Sequence, residues 1–178
     1  YTEHVNVEVN DFFRTGPESL PVNDRRASAS GETSAETVIE LDDQMDAVVG
    51  NPPYIRQENI DDKDAVRTHL GAVGGEHLSR RSDIYAYFLT HATQFLVEGG
   101  ELGYVTSDRW LDTKYGADIQ QFLLDNYQIE TVIKLGKQAF DDALVGSCVF
   151  ILRRESDPEA RRQNVVTFLR VDERLDID

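Results

Sequence analysis

Four consecutive residues, Asn51-Pro52-Pro53-Tyr54, have the types and order that chemistry on a flat amine requires. The two prolines fix φ and offer carbonyl acceptors with no competing N–H donor, so the backbone here is stiff. Asn51 adds a side-chain carbonyl close to that of Pro52. Two acceptors aimed at one point suit an exocyclic amine, which has two hydrogens to give, and the Tyr54 ring supplies a face for a planar substrate. The lone pair of such an amine, adenine N6 being one, is delocalised into its ring. Accepting both hydrogens favours a tetrahedral nitrogen and frees the lone pair to attack a methyl sulfonium placed in line, with no covalent enzyme intermediate. A rigid turn could use the same residues. By average residue usage, however, the tetrapeptide arises by chance in roughly one chain of this length in 10³, and here it follows the apolar run Asp46-Ala47-Val48-Val49-Gly50.

The elements that must position this motif can be read from periodicity. Asp46–Gly50 reads as a buried parallel strand ending in a loop, the place where open α/β sheets bind ligands. Upstream, Val5-Asn6-Val7-Glu8-Val9 alternates with period two, as a strand does, and Asp11-Phe12-Phe13 follows it. Residues 16–43 form a polar loop or insertion. Residues 56–81 read as a loop carrying a short helix. A helix then begins with Ser82 as its cap. Its stripe is Ile84, Tyr85, Phe88, Leu89, Ala92, Phe95 and Leu96, and Glu98-Gly99-Gly100 ends it. Glu101–Thr106 is the next strand, followed by Ser107-Asp108-Arg109-Trp110-Leu111, with Trp110 expected in the core and the lining of a binding cleft as its alternative. A second helix over 116–126 turns Ile119, Phe122 and Leu123 inward. Strands follow at Ile129–Leu135, Ser147–Arg153 and Val165–Val171, the last after a charged linker from Glu155 to Gln163. Strands alternating with helices predict a parallel α/β sheet.

The 178 residues can bury a sizeable core, and 40% hydrophobic with 29% charged residues is a globular composition. No apolar run approaches the roughly 18 residues of a membrane span. The single cysteine, Cys148, excludes an internal disulfide, fits a reducing cytoplasm, and reads as a small buried hydrophobe. The four histidines show no ligand spacing, so no metal site is expected. The net charge of −15 runs against the basic surfaces of nucleic-acid-binding proteins. Two arrangements reconcile it with such a role: a salt-loving source, or a basic surface on another part of the protein. Arg80-Arg81, Arg153-Arg154 and Arg161-Arg162 read as solvated surface, with contact to phosphates the alternative, and Asp83 as a carboxylate suited to the helix dipole, with a catalytic role the alternative.

The run Asp46-Ala47-Val48-Val49-Gly50-Asn51-Pro52-Pro53-Tyr54-Ile55 resembles the catalytic motif of amino-methyltransferases. The segments Ser82-Asp83-Ile84-Tyr85-Ala86-Tyr87-Phe88, Gly99-Gly100-Glu101-Leu102-Gly103-Tyr104-Val105-Thr106-Ser107 and Trp110-Leu111 narrow the resemblance. They are similar to the large N6-adenine DNA methyltransferases of restriction–modification systems, including those fused to a nuclease. The match runs from about Asp46 to Arg154, with a weaker one at Val5–Phe13.

The resemblance implies an α/β, Rossmann-like methyltransferase fold, present in part as the C-terminal portion of the sheet, with one antiparallel hairpin strand near its end. It implies S-adenosylmethionine as cofactor and double-stranded DNA as partner through the full-length protein, in the cytoplasm. It assigns catalytic roles to Asn51, Pro52, Pro53 and Tyr54, and base contact to Tyr54 and Phe140. Asp11 and Phe12 are assigned to the adenosine part of the cofactor. The family's glycine-rich first motif and ribose-binding acid are expected before Tyr1, and its target-recognition domain after Asp178. Residues 1–178 are accordingly read as a partial catalytic domain, with 155–178 a linker and the start of a following region, expected to bind cofactor weakly or not at all alone. Release-factor glutamine methyltransferases and RNA adenine methyltransferases share the tetrapeptide, and the flanking segments favour the DNA branch. A fragment with only a scaffolding role is the remaining alternative.

Overall fold

In the computed structural model, residues 44–60, 63–74, 77–136 and 146–171 are described. The chain order is β1 (Met45–Gly50), α1 (Lys63–His69), α2 (Ile84–Ala92), β2 (Leu96–Ser107), α3 (Gly116–Asn126), β3 (Tyr127–Leu135), β4 (Ser147–Arg154), α4 (Pro158–Arg162) and β5 (Thr167–Val171). The strands form one sheet in the order β1-β2-β4-β3-β5. β1 runs parallel to β2, and β3 parallel to β5. β4 is antiparallel to both its neighbours and lies between β2 and β3. Among the described residues the sheet is therefore mixed, with a single reversed strand as the resemblance implied, but that strand is the middle one of five and not one near the sheet's end. β4 reads Cys-Val-Phe-Ile-Leu, a nearly continuous apolar run of the kind expected for a strand partnered on both sides.

The core lies on one face of the sheet, where Leu102, Tyr104, Phe150, Leu152 and Val132 are buried. Trp110 is buried too, as expected. Its ring meets Phe150 edge-on at 5.8 Å, and its Nε1–H donates to Cys148 Sγ at 3.2 Å. Cys148 is the buried small residue expected, and burial pushes its thiol pKa up. On α3, Ile119, Phe122 and Leu123 are buried, the i, i+3, i+4 set of an amphipathic helix. α2 buries Tyr85, Ala86, Tyr87, Leu89, Thr90, His91 and Ala92, so it is enclosed on more than one face.

Three expectations change. First, α2 stops at Ala92, a turn of 3-10 helix covers Thr93–Phe95, and Leu96 already pairs with Met45 in the sheet. Thr90 and Thr93 hydrogen-bond back to the carbonyls of Ala86 and Leu89, a habit that weakens helices. Thr93 also meets the Tyr127 hydroxyl at 2.6 Å, which anchors the chain as it enters the sheet. Second, β1 is parallel but not buried. Among the described residues it is an outer strand, and Val49 is 82% exposed. Third, the charged stretch after β4 holds α4, capped by Asp157 accepting from the Glu159 amide at 2.9 Å, with Pro158 in its first turn.

The turn after β2 is packed without slack. A methyl group on Gly116 would fall on the backbone of Trp110, and Gln120 Nε2 donates to the Trp110 carbonyl at 3.0 Å from the same helix. Gly116→Ala is expected to destabilise the domain by about 1–3 kcal/mol, the usual cost of overpacking. The readout is a lowered urea unfolding midpoint, and an unchanged midpoint would contradict this contact.

Candidate active site

β1 and β2 are parallel, so their carboxyl ends share one edge of the sheet, and β4, being reversed, brings its first residue to that edge. Asn51-Pro52-Pro53-Tyr54 leaves β1 at this edge, Ser107 ends β2 there, and Ser147 opens β4 there, paired with Ser107. The glycine before the motif has a packing reason. A Cβ on Gly50 would stand 3.0 Å from the Tyr104 ring, so the missing side chain lets that ring lie beneath the motif.

Within the tetrapeptide the prolines differ: Pro52 is buried and Pro53 exposed. Asn51 is exposed, and its amide makes no hydrogen bond among the described residues, which leaves its carbonyl available to a ligand. Tyr54 is 44% exposed, and its hydroxyl lies 3.2 Å from Ser147 Oγ. That contact ties the ring to the start of β4 and leaves much of it open to solvent.

A cleft adjoins the motif. Its walls include Tyr54 and Arg56 from the loop, Asp83 just before α2 and Tyr85 in its first turn, Ser107 at the end of β2 and Arg109 just beyond it. Asp83 occupies the N-cap position of α2 yet makes no side-chain capping bond. One of its carboxylate oxygens accepts the amide of Gln57 at 2.9 Å, and the other accepts the Tyr115 hydroxyl at 3.2 Å. Tyr115 lies 3.5 Å from the Tyr85 hydroxyl. Burial raises the pKa of both tyrosines, so both hydroxyls stay protonated. The backbone adds a tie of its own, Ile84 N–H donating to the Ile55 carbonyl at 3.1 Å. The segment after Tyr54 is thus fastened to the start of α2 at two points. This corrects Ser82 as the cap: Ser82 is buried, its hydroxyl has no hydrogen-bond partner, and the N-cap position belongs to Asp83. The dipole reading of Asp83 named its location, but its hydrogen bonds go to the loop and to Tyr115.

Asn51, Pro52, Pro53 and Tyr54 are therefore together at one sheet end. Phe140, Asp11 and Phe12 lie outside the described residues. Leu135 and Ser147, the paired residues on either side of the 137–145 stretch that contains Phe140, stand at the same edge. Sequence reasoning did not single out Ser107, Tyr115 or Ser147 as site residues. Their one available signal was position, each falling at the end of a strand or just before a helix. No group of three or more metal-binding side chains occurs among the described residues, and none of the helices described is long and apolar enough to cross a membrane.

Comparisons with known proteins bear on the fold and on the family. Over 74% of its length the chain superposes, with a TM-score of 0.58 and 21% identity, on 38% of a Listeria monocytogenes protein described as a class I S-adenosylmethionine-dependent methyltransferase. The fold is that of this class, whose cofactor is S-adenosylmethionine. An uncommitted Asn51 carbonyl at an open strand end fits a methyl donor and its acceptor meeting there. The Type II methyltransferase M.BstVI of Geobacillus stearothermophilus is 36% identical over 94 residues, covering 53% of this chain and 16% of that protein. The Type II methyltransferase M.PaeR7I of Pseudomonas aeruginosa is 30% identical over 129 residues, covering 68% of this chain and 21% of that protein. The chain thus spans about a sixth to a fifth of the length of these relatives. Residues 4–140 match the family described as Eco57I restriction-modification methylase, and the chain belongs to that family.

Proposed function

We propose that the protein containing this chain methylates the N6 amine of adenine in DNA, within a restriction–modification or related defence system. The observation that carries the reading is the exposed, uncommitted Asn51 amide beside a half-open Tyr54 ring at the carboxyl ends of two parallel strands. S-adenosylmethionine supplies the methyl group as a sulfonium. The chain's own residues act on the acceptor. N6 is out of reach inside a duplex, so the base must be extruded at a cost of a few kcal/mol. Stacking on Tyr54 returns roughly 1–3 kcal/mol, by analogy with other base–aromatic contacts. The Asn51 side chain and the Pro52 carbonyl accept the two amine hydrogens and turn the lone pair towards the incoming methyl group. The surplus proton on the methylated nitrogen is then shed to solvent. Phe140 is assigned to the target base, and Asp11 and Phe12 to the cofactor's adenosine, on family pattern alone.

A methylation assay on the full-length protein tests the acceptor. Plasmid DNA, RNA and a release factor are offered side by side with labelled S-adenosylmethionine, and digested product is examined for N6-methyladenine. Label is expected in DNA as N6-methyladenine. Label confined to RNA or to a glutamine side chain would replace this reading with one of the other acceptors of the same motif.

A further inference from the structure

The charge of −15 makes it a question how this domain could approach a polyanion at all. The answer lies in which cations are already neutralised. Arg153 bridges Glu101 and Glu130 at 2.9 and 2.8 Å, and Lys134 bridges Asp108 and Asp112 at 3.2 and 3.3 Å. Arg80 pairs with Asp64 and Arg162 with Glu159. Lys63, Arg154 and Arg161 are committed to neutral oxygen acceptors.

Among the described residues, four cations have side chains with no ion pair and no hydrogen bond: Arg56, Arg81, Arg109 and Lys114. Their positions are not scattered. Arg56 follows Tyr54 by two residues, Arg81 precedes Asp83 by two, Arg109 follows Ser107 by two, and Lys114 precedes Tyr115. Each adjoins a residue of the site, and Arg56 and Arg109 line the cleft beside Tyr54 itself. Among the described residues no carboxylate forms an ion pair with them. Both oxygens of Asp83 are taken by Gln57 and Tyr115, and Asp108 is held by Lys134. The pKa of Glu58 is lowered first by its own backbone and the Gln57 side chain, and only then by Arg56.

We propose that Arg56 and Arg109, flanked by Arg81 and Lys114, form a phosphate-binding rim with which this domain grips the DNA backbone beside the cleft. The proposal rests on the reading of DNA as substrate. A nucleotide rotated out about its backbone keeps its phosphates at the mouth of the pocket it enters, and Arg56 and Arg109 line this cleft. Guanidinium groups match phosphate oxygens two at a time. The remainder of the acidic surface repels the duplex and leaves this rim as the point of approach. The basic surface then need not lie wholly on another part of the protein.

The test uses the full-length protein and a target duplex, with the dissociation constant measured across a potassium chloride series. Each phosphate contact removed makes the slope of log affinity against log salt shallower by about 0.9. Arg56→Ala and Arg109→Ala should each show that change and bind several-fold more weakly at low salt, the double variant showing both changes. Arg56→Lys, which keeps a charge, should recover most of the slope. Arg162→Ala, on α4, should match the parent. S-adenosylmethionine affinity by calorimetry and thermal unfolding should not move. An unchanged slope in the double variant would overturn the proposal, as would lost S-adenosylmethionine affinity at constant slope, which would assign the arginines to the cofactor's carboxylate. The underlying reading is checked separately by Asn51→Ala. If that variant stops methylating while the arginine variants keep the parental slope, the rim fails and the reading stands.

Discussion

Asn51→Ala in the full-length protein is expected to lower methyl transfer to DNA by roughly 10²–10³-fold, the loss seen when one pre-placed hydrogen-bonding group facing developing charge is removed. The side chain is exposed and makes no hydrogen bond among the described residues, so its removal leaves no buried group unsatisfied and the fold should be unaffected. Its loss falls on the reacting nitrogen. With one acceptor gone, one amine hydrogen has no partner and the lone pair remains in the ring. The chemical step should slow while S-adenosylmethionine affinity and duplex affinity hold. Asn51→Asp keeps an acceptor oxygen and should retain more activity than alanine. Methyl incorporation under single-turnover conditions, beside calorimetry with the cofactor, separates the two effects. Parental incorporation by the alanine variant would end the proposed mechanism.

The second large effect is expected at Asp83, which touches no reacting atom in this arrangement and acts through the loop it holds. Its carboxylate is buried, 8% exposed, and joins Gln57 of the motif's loop to Tyr115 ahead of α3. Hydrogen bonds to a charged group are worth about 1.5–3 kcal/mol each. Asp83→Ala removes two and leaves the Gln57 amide and the Tyr115 hydroxyl without this acceptor. Among the described residues the loop then keeps only the Ile84–Ile55 backbone bond as its tie to α2. A displacement of about 1 Å at a reacting centre can cost 10²-fold in rate, so methyl transfer should fall by about 10–10²-fold. Asp83→Asn preserves an oxygen for the Gln57 amide and should return most of that loss. A duplex carrying 2-aminopurine at the target position adds a readout that stability alone would not move. Binding should still unstack the probe, but the quenching that stacking on Tyr54 causes should be reduced in the alanine variant. Full quenching and full activity in Asp83→Ala would show that the tether does not set the loop.

How much of this was legible beforehand differs from element to element, and the difference is one of range. α3 runs over the expected 116–126 because its signal is local: Ile119, Phe122 and Leu123 recur at helical spacing and face the core. β3 and β4 were located to within two residues because each is a short apolar run bounded by polar residues. α2 was read as too long because Phe95 and Leu96 continue its apolar stripe, while the sheet claims Leu96 through a partner some fifty residues earlier. The exposure of Val49 was illegible for a similar reason. An apolar strand looks the same in sequence whether or not something covers it.

The motif itself was a property of the chain: Asn51 through Tyr54 are consecutive, and proline stiffness and carbonyl chemistry belong to those residues wherever they stand. The resemblance pointed to one reversed strand, but which strands flank β4, and so what surrounds the motif, was decided only by tertiary structure. Ser147 meets Tyr54 across 93 residues, because β4 enters the sheet in the opposite sense from β2. Asp83 reaches Gln57 across 26 residues and Tyr115 across 32, so local helix rules could assign it only to the dipole of α2. Sequence by itself determined the chemistry that the Asn51–Tyr54 motif can offer. The fold decided what holds that motif in place and which of the described cations near it stand unpaired, because both depend on contacts between residues that only the tertiary structure brings together.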